Sequence, residues 1–292
     1  MNQGKYIFSQ VMELVSHKVF NTCVNRYKGN YKTKQFSCWK QFLCMAFGQL
    51  THRESLSDTI LCLRANAGKL YHMGIGQAIA KSTLSNANES RDCRIFSDIA
   101  MVLIEEAKSL YLNDSDLEVD LKNNVFAIDA TVIDVCLSAF SWAKFRSTKG
   151  GVKVHVQLDL KTAIPEFIQI TTASLHEVNI LDNMSFQPDR FYVLDRGYTA
   201  FDKMYTIHKS KAFFIIRAKD NLNFSRISSV PIKKQSGVLC DQTIRLNGYY
   251  AQKDFPVRMR RVKFYDAEND RVLIFLTNSF ELKATEIAQL YK

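Results

Sequence analysis

Through the first third of the chain, apolar side chains recur at mixed three- and four-residue spacings. That pattern predicts helices over residues 36–47 and 55–63. A longer helix follows, in which Ile95, Phe96, Ile99, Val102, Leu103, Ala107, Leu110 and Tyr111 form one stripe. Between them, Ser82 is placed to cap a short helix over residues 82–88. Its small polar side chains suit either an approach to DNA or a connector between core helices. Residues 113–124, with four acids and no clear period, mark a boundary.

Beyond it the period changes to that of strands. Residues 125–133 are β-branched and apolar apart from Asp129, and residues 152–160 alternate apolar and polar side chains. Residues 164–172 form a third strand, 190–195 a fourth and 212–217 a fifth, with helices expected over 177–186 and 201–209. Three strands in succession, then helix, strand, helix, strand, is the order of a ribonuclease-H-like sheet, and short joins make the first three an antiparallel meander. Residues 220–280 read as a β-rich insertion, with strands at 238–246, 257–265 and 271–277. Residues 285–292 open like a capped helix of scarcely two turns, expected to gain little by itself, to fray, and to leave the sheet uncovered. The fold class is therefore α/β: a helical N-terminal domain over residues 1–118, expected to bind DNA, then a ribonuclease-H-like mixed-sheet core over 119–292 holding the insertion.

Composition narrows the functional classes. Hydrophobic residues make up 47% and charged residues 23% of 292 positions, enough for a sizeable core, while 4 Pro and 11 Gly exclude collagen-like and linker-rich chains. The longest apolar run, residues 99–104, is far short of the ~20 residues that span a bilayer. Residues 1–5 have no signal-like apolar stretch. Seven scattered cysteines without a Cys-x-x-Cys pair argue for a reducing compartment and against a zinc ribbon. The expectation is a cytoplasmic protein without a membrane partner.

The net charge of +10 is unevenly placed: +8 over residues 1–97, −7 over 98–195 and +9 over 196–292. Basic ends attract a polyanion, and an acidic middle repels it unless divalent cations sit there. Charge alone leaves nucleic acid and an ordinary basic surface equally open.

Asp129 and Asp195 each stand in or at the end of an apolar strand, where a lone carboxylate is costly unless a cation or donors lie near. In the order above their strands are neighbours, so the two acids can share Mg²⁺, with Mn²⁺ as a substitute. A metal pair would activate a water or 3′-hydroxyl for in-line phosphoryl displacement. Lys153 and His155 share one strand face and either contact DNA phosphate or form the solvated side of an outer strand. Arg196 can pair with Asp195 or hold a phosphate. Arg258 and Arg260 share a side of their strand and Arg261 takes the other. With Lys233 and Lys234, and with Tyr249, Tyr250 and Phe255 for stacking, they form either a DNA clamp or a plain β surface.

Residues 125–133, the Gly151-Val152-Lys153-Val154-His155 block and the Tyr192-Val193-Leu194-Asp195-Arg196-Gly197-Tyr198 block resemble those of bacterial insertion-sequence DDE transposases, most closely the insertion-sequence-four type. The resemblance runs over nearly the whole chain. It implies a ribonuclease-H-like catalytic core and Mg²⁺-dependent cleavage and strand transfer of the element's DNA ends, in a dimeric synaptic complex in a bacterial, nucleoid-associated setting. Asp129 matches the family's first catalytic acid and Asp195 its second. The third is a Glu within Tyr-x-x-Arg-x-x-x-Glu. Tyr291 matches the opening Tyr, residue 292 comes before the Arg and Glu, and Glu286 is off register. On that reading the 292 residues are expected to be truncated before the third acid and catalytically inert. A DNA-binding remnant is the main alternative, and a nuclease that never joins strands is another.

Overall fold

The computed structural model describes residues 5–111, 124–135, 143, 150–232 and 236–292. Most of the expected boundary at 113–124, and Lys233 and Lys234, lie outside them. The chain divides into two compact units, Met1–Ala107 and Lys108–Lys292. Among the described residues no helix is long and apolar enough to cross a membrane.

The first unit is helical: α1 (Ile7–Met12), α2 (His17–Arg26), α3 (Cys38–Leu50), α4 (Leu56–Ala65), α5 (Lys81–Ser90) and most of α6 (Arg94–Tyr111). Serines start three of them. Ser16, Ser37 and Ser55 each accept a hydrogen bond from the backbone N–H three residues on, satisfying a donor the first turn leaves unpaired. Ser82 has no such role. Helix α5 begins one residue earlier, behind Ala80, with no side-chain cap, and its register is set by burial of Leu84 and Ala87. Leu43, Leu63, Leu70, Ile75 and Leu84 form one core, and Phe20, Cys38, Ile95 and Ile99 another. Helices α1 and α2 have no counterpart in the sequence-based reading, because one is six residues long and the other anchors through only three buried side chains.

The second unit is built on one nine-stranded sheet. Its strands are β1 (Val125–Val135), β2 (Gly150–Asp159), β3 (Ile164–Thr172), β4 (Phe191–Leu194), β5 (Phe213–Arg217), β6 (Phe224–Ser229), β7 (Val238–Leu246), β8 (Met259–Asp266) and β9 (Arg271–Thr277). Their spatial order is β3-β2-β1-β4-β5-β9-β8-β7-β6. β1, β2 and β3 are an antiparallel meander, and β4 runs parallel to both β1 and β5. β9 then pairs antiparallel with β5, so the strands of 220–280 extend this sheet. Residues 177–183 form a 3₁₀ helix instead of the expected longer α-helix. Helix α7 (Phe201–Lys209) links β4 to β5, α8 (Tyr249–Asp254) follows β7, and α9 (Ala284–Tyr291) follows β9.

Alternation along the strands divides the core by face. Phe126, Ile128, Tyr192, Leu194, Phe214 and Ile216 pack under Ile180, Leu181, Met204 and Ile207 of the 3₁₀ helix and α7. Val125, Phe191, Val193, Ile215 and Phe275 pack on the other face, against Ile287, Ala288 and Leu290 of α9. The central strands are thus covered on both sides. Two sequence-based expectations fail here. β2 is not an outer strand, since it lies between β1 and β3, and its polar residues are the buried ones. Lys153, His155, Gln157 and Asp159 are at most 7% exposed, while the intervening Val152, Val154, Val156 and Leu158 are only half-buried.

Helix α9 is also firmer than its length suggests. Its two-turn apolar face is buried, its first turn is closed by Glu286 Oε2 accepting the Lys283 backbone N–H at 2.8 Å, and its end is tied to β8. Asp266 is fully buried, with Lys292 Nζ 2.7 Å from Oδ1, and Asn269 Nδ2 at 2.8 Å and Arg271 Nε at 3.1 Å from Oδ2. Lys292 first, then Asn269 and Arg271, hold the carboxyl at about 2 against the upward push of burial. A group depressed in the folded state stabilises above its ordinary value near 3.8 and loses that contribution as pH falls toward about 2. The melting temperature should therefore drop more steeply between pH 4 and pH 2 in the native sequence than in Asp266→Asn. Equal slopes by calorimetry would discount the pairing.

Candidate active site

Three apolar strand segments end in a charged residue: Ala127-Ile128-Asp129 on β1, Val193-Leu194-Asp195 after β4, and Ile215-Ile216-Arg217 on β5. Ile128 pairs with Leu194, and Leu194 with Ile216, all in parallel register. The next position on each chain is therefore Asp129, Asp195 and Arg217, side by side with strands about 4.8 Å apart. Asp129 follows Val125 onto the α9 face, as Asp195 follows Val193 and Arg217 follows Ile215. Both acids are exposed. Tyr291 of α9 donates its hydroxyl to Asp195 Oδ1 at 3.0 Å. Burial, then that hydrogen bond and the Asp195 charge, push the phenol upward, while Arg217 and Arg271 oppose the shift.

Two exposed carboxylates on adjacent strands, open to solvent, supply hard oxygen donors and leave room for water and phosphate oxygens. That chemistry fits a Mg²⁺-class cation held by Asp129 and Asp195. Among the described residues no group of three or more His, Cys, Asp or Glu gathers as a metal cluster.

The other candidates scatter. Val132 pairs with Lys153 and Ala130 with His155, while Asp129 pairs with Val156. Directly paired residues share a face, so Lys153 and His155 lie on the side of the sheet away from the acids. Lys153 donates to the Leu175 carbonyl at 2.9 Å and meets Glu177 at 3.3 Å. His155 is 1% exposed, with Nε2 2.9 Å from Thr171 Oγ1. Burial, then the Lys153 charge, lower its pKa. Neither side chain reaches a surface phosphate, which corrects their reading as DNA contacts. Arg260 is corrected for the same reason: only 8% of its side chain is exposed, and it forks onto Asp241 at 2.8 and 2.7 Å. Phe255 is buried beside Tyr205 and Phe214 and offers no stacking face. Arg196, Arg258, Tyr249 and Tyr250 are exposed. Arg261 is half-buried over the Phe224 ring at 5.0 Å and donates to Gln242 at 3.1 Å.

Two residues escaped the sequence-based reading. Arg217 completes the charged row, and its signal was present: it ends an apolar strand as the two acids do. Glu177 falls in the first turn of the helix expected over 177–186, where an acid is ordinary. Its carboxylate lies against Gly197, where an added Cβ would meet Oε2 at 2.5 Å, so the turn after Asp195 is seated on the Lys153–Glu177 pair. Beside it, Tyr198 is fully buried with its hydroxyl unpartnered among the described residues, and burial, then the charges of Glu177, Asp129 and Asp195, raise its pKa.

Comparison with known families matches residues 120–292 to one described as "Transposase DDE domain". Residues 3–76 match another, described as "Domain of unknown function (DUF4372)". A putative transposase, y4zB, of Sinorhizobium fredii is 28% identical over 213 residues, covering 72% of this chain and 57% of that protein. A probable transposase for insertion sequence element IS5377 of Geobacillus stearothermophilus is 28% identical over 171 residues, or 56% of this chain and 43% of the relative. A putative transposase for element IS4SA of Synechocystis is 24% identical over 159 residues, or 53% and 44%. The chain thus spans about half the length of the curated relatives it matches.

Proposed function

The chain belongs to the transposase DDE domain family, and on that premise we propose that it acts in DNA transposition, cutting and joining the ends of an insertion sequence. One observation carries the proposal: the register of β1, β4 and β5 sets Asp129, Asp195 and Arg217 in one row, the two acids exposed and Arg217 half-buried. Strand order supports a ribonuclease-H-like arrangement, with three antiparallel strands followed by two parallel ones. A pair of copies holding two element ends completes the reading.

A divalent cation, when bound, supplies Lewis-acid stabilisation of the phosphate and a more acidic water or 3′-hydroxyl. Asp129 and Asp195 would hold it. Tyr291 fixes the rotamer of Asp195 by donating to Oδ1. Arg217, next in the row, binds a non-bridging phosphate oxygen and offsets charge gathered there. The Lys153–Glu177 pair, on the opposite face, keeps the turn carrying Asp195 in place.

Mn²⁺ should raise the melting temperature of the chain by mass action, and Asp129→Ala and Asp195→Ala should each abolish the increment. A shift that persists in both variants places the cation elsewhere and overturns the assignment. Duplex binding without any cation shift favours the alternative, a DNA-binding protein that does not cleave.

A further inference from the structure

Asp266, the last residue of β8, is a buried acid that the mechanism above does not use. Its partner in the β8–β9 register is Arg271. Three donors meet its carboxylate: Lys292 Nζ at 2.7 Å, Asn269 Nδ2 at 2.8 Å and Arg271 Nε at 3.1 Å. Lys292 reaches it from the end of α9, one residue beyond Tyr291. Burying an ion pair is costly, and apolar side chains of similar size often give equal stability. Helix α9 does not need Asp266 to stay on the sheet, because Ile287, Ala288 and Leu290 are already buried there.

Apolar contact is non-directional, so it holds a helix down without fixing its slide or its rotation. A charge-assisted bond from a fixed strand supplies that direction. Direction matters at Tyr291. Its ring packs on Phe275 of β9 with centroids 5.0 Å apart, and its hydroxyl donates to Asp195 Oδ1 at 3.0 Å. That is the long end of the range for a hydroxyl donor, so a slide of about 0.5 Å would break the bond. Glu268 also meets Lys292 at 3.0 Å, but its side chain is 79% exposed and gives a looser hold.

We propose that Asp266 is a positioning residue for the acid row: by gripping Lys292 it sets the end of α9, so that Tyr291 holds Asp195 in the rotamer that takes a divalent cation. The inference rests on the reading of Asp129 and Asp195 as the cation's ligands. Groups that orient a metal ligand without touching the metal change affinity by about 10–100-fold when removed. Asp266 acts one step further out, through the helix, so its effect must pass through the Tyr291 hydroxyl.

The test is a Mn²⁺ titration of the full chain, with free Mn²⁺ read by electron paramagnetic resonance. Tyr291→Phe is expected to weaken binding about tenfold, and Asp266→Asn and Lys292→Met each about three- to tenfold. Asp266→Asn combined with Tyr291→Phe should bind no more weakly than Tyr291→Phe alone. Lys292→Arg, which keeps the cation, should keep native affinity. Tyr265→Phe should as well, since it removes only a β8 hydrogen bond to Asp270. Lys292 is partly exposed, so Lys292→Met reads the same link from the helix side even where Asp266→Asn fails to fold. Native affinity in Lys292→Met, additive losses in the double variant, or an equal loss in Tyr265→Phe would overturn the proposal. Any of these with binding still lost in Asp129→Ala leaves the acid-row reading standing. No Mn²⁺ binding by the native chain removes that reading and this proposal together.

Discussion

Asp241→Ala is expected to lower stability by about 3–5 kcal/mol, because it leaves the Arg260 guanidinium charged, buried and unpaired. The side chains of Asp241 and Arg260 are 9% and 8% exposed, and their two-pronged contact joins β7 to β8. Arg260 also donates to the Leu282 carbonyl at 2.6 Å, so the loss should spread to the segment leading into α9. Urea denaturation at neutral pH measures it. Replacing both partners, Asp241→Leu with Arg260→Met, should recover most of the loss, since no uncompensated charge remains. A single variant within about 0.5 kcal/mol of the native chain would show the pair to be solvated.

The second large effect is on DNA. Residues 1–97 and 196–292 carry +8 and +9, and a duplex bound through four to six phosphates should lose about 10²–10³ in affinity between 50 and 200 mM salt. Each neutralised phosphate releases condensed counterions, a gain that shrinks as bulk salt rises. An affinity indifferent to salt would point to base or apolar contacts as the source of binding, and away from both transposase and remnant.

Strands were legible where apolar runs were bounded by turn residues. The residues of β3 and α7 match the sequence-based bounds, and β7 and β9 do as well. The acid row was half legible: Asp129 and Asp195 stood out as charges in apolar strands, whereas Arg217 drew no notice because a cation ending a strand is commonplace. β2 was misread for a physical reason. Alternation reports two different faces but not which one is covered, and here the covered face is polar because Thr171, Glu166, Glu177 and the Leu175 carbonyl provide its partners. Arg260 misled in the same way, since a basic strand residue gives no local sign that an acid 19 positions earlier will claim it. Helix α9 looked too short to hold because its stability comes from the sheet beneath it and from Asp266, neither visible in eight residues.

The inward polar row of β2 also sets how this fold can be changed. Lys153, His155 and Gln157 are each committed to a different partner, Lys153 to the Leu175 carbonyl and the other two to Thr171 and Glu166 of β3, like keys cut for separate locks. Leucine at 153 would leave Glu177 and the Leu175 carbonyl without their lysine, whereas Glu166, the partner of Gln157, keeps Lys108 and Arg190, so a stabilised version of this unit must be redesigned partner by partner. The tolerant positions on that strand are the half-buried valines, where a conventional core-packing protocol would look last.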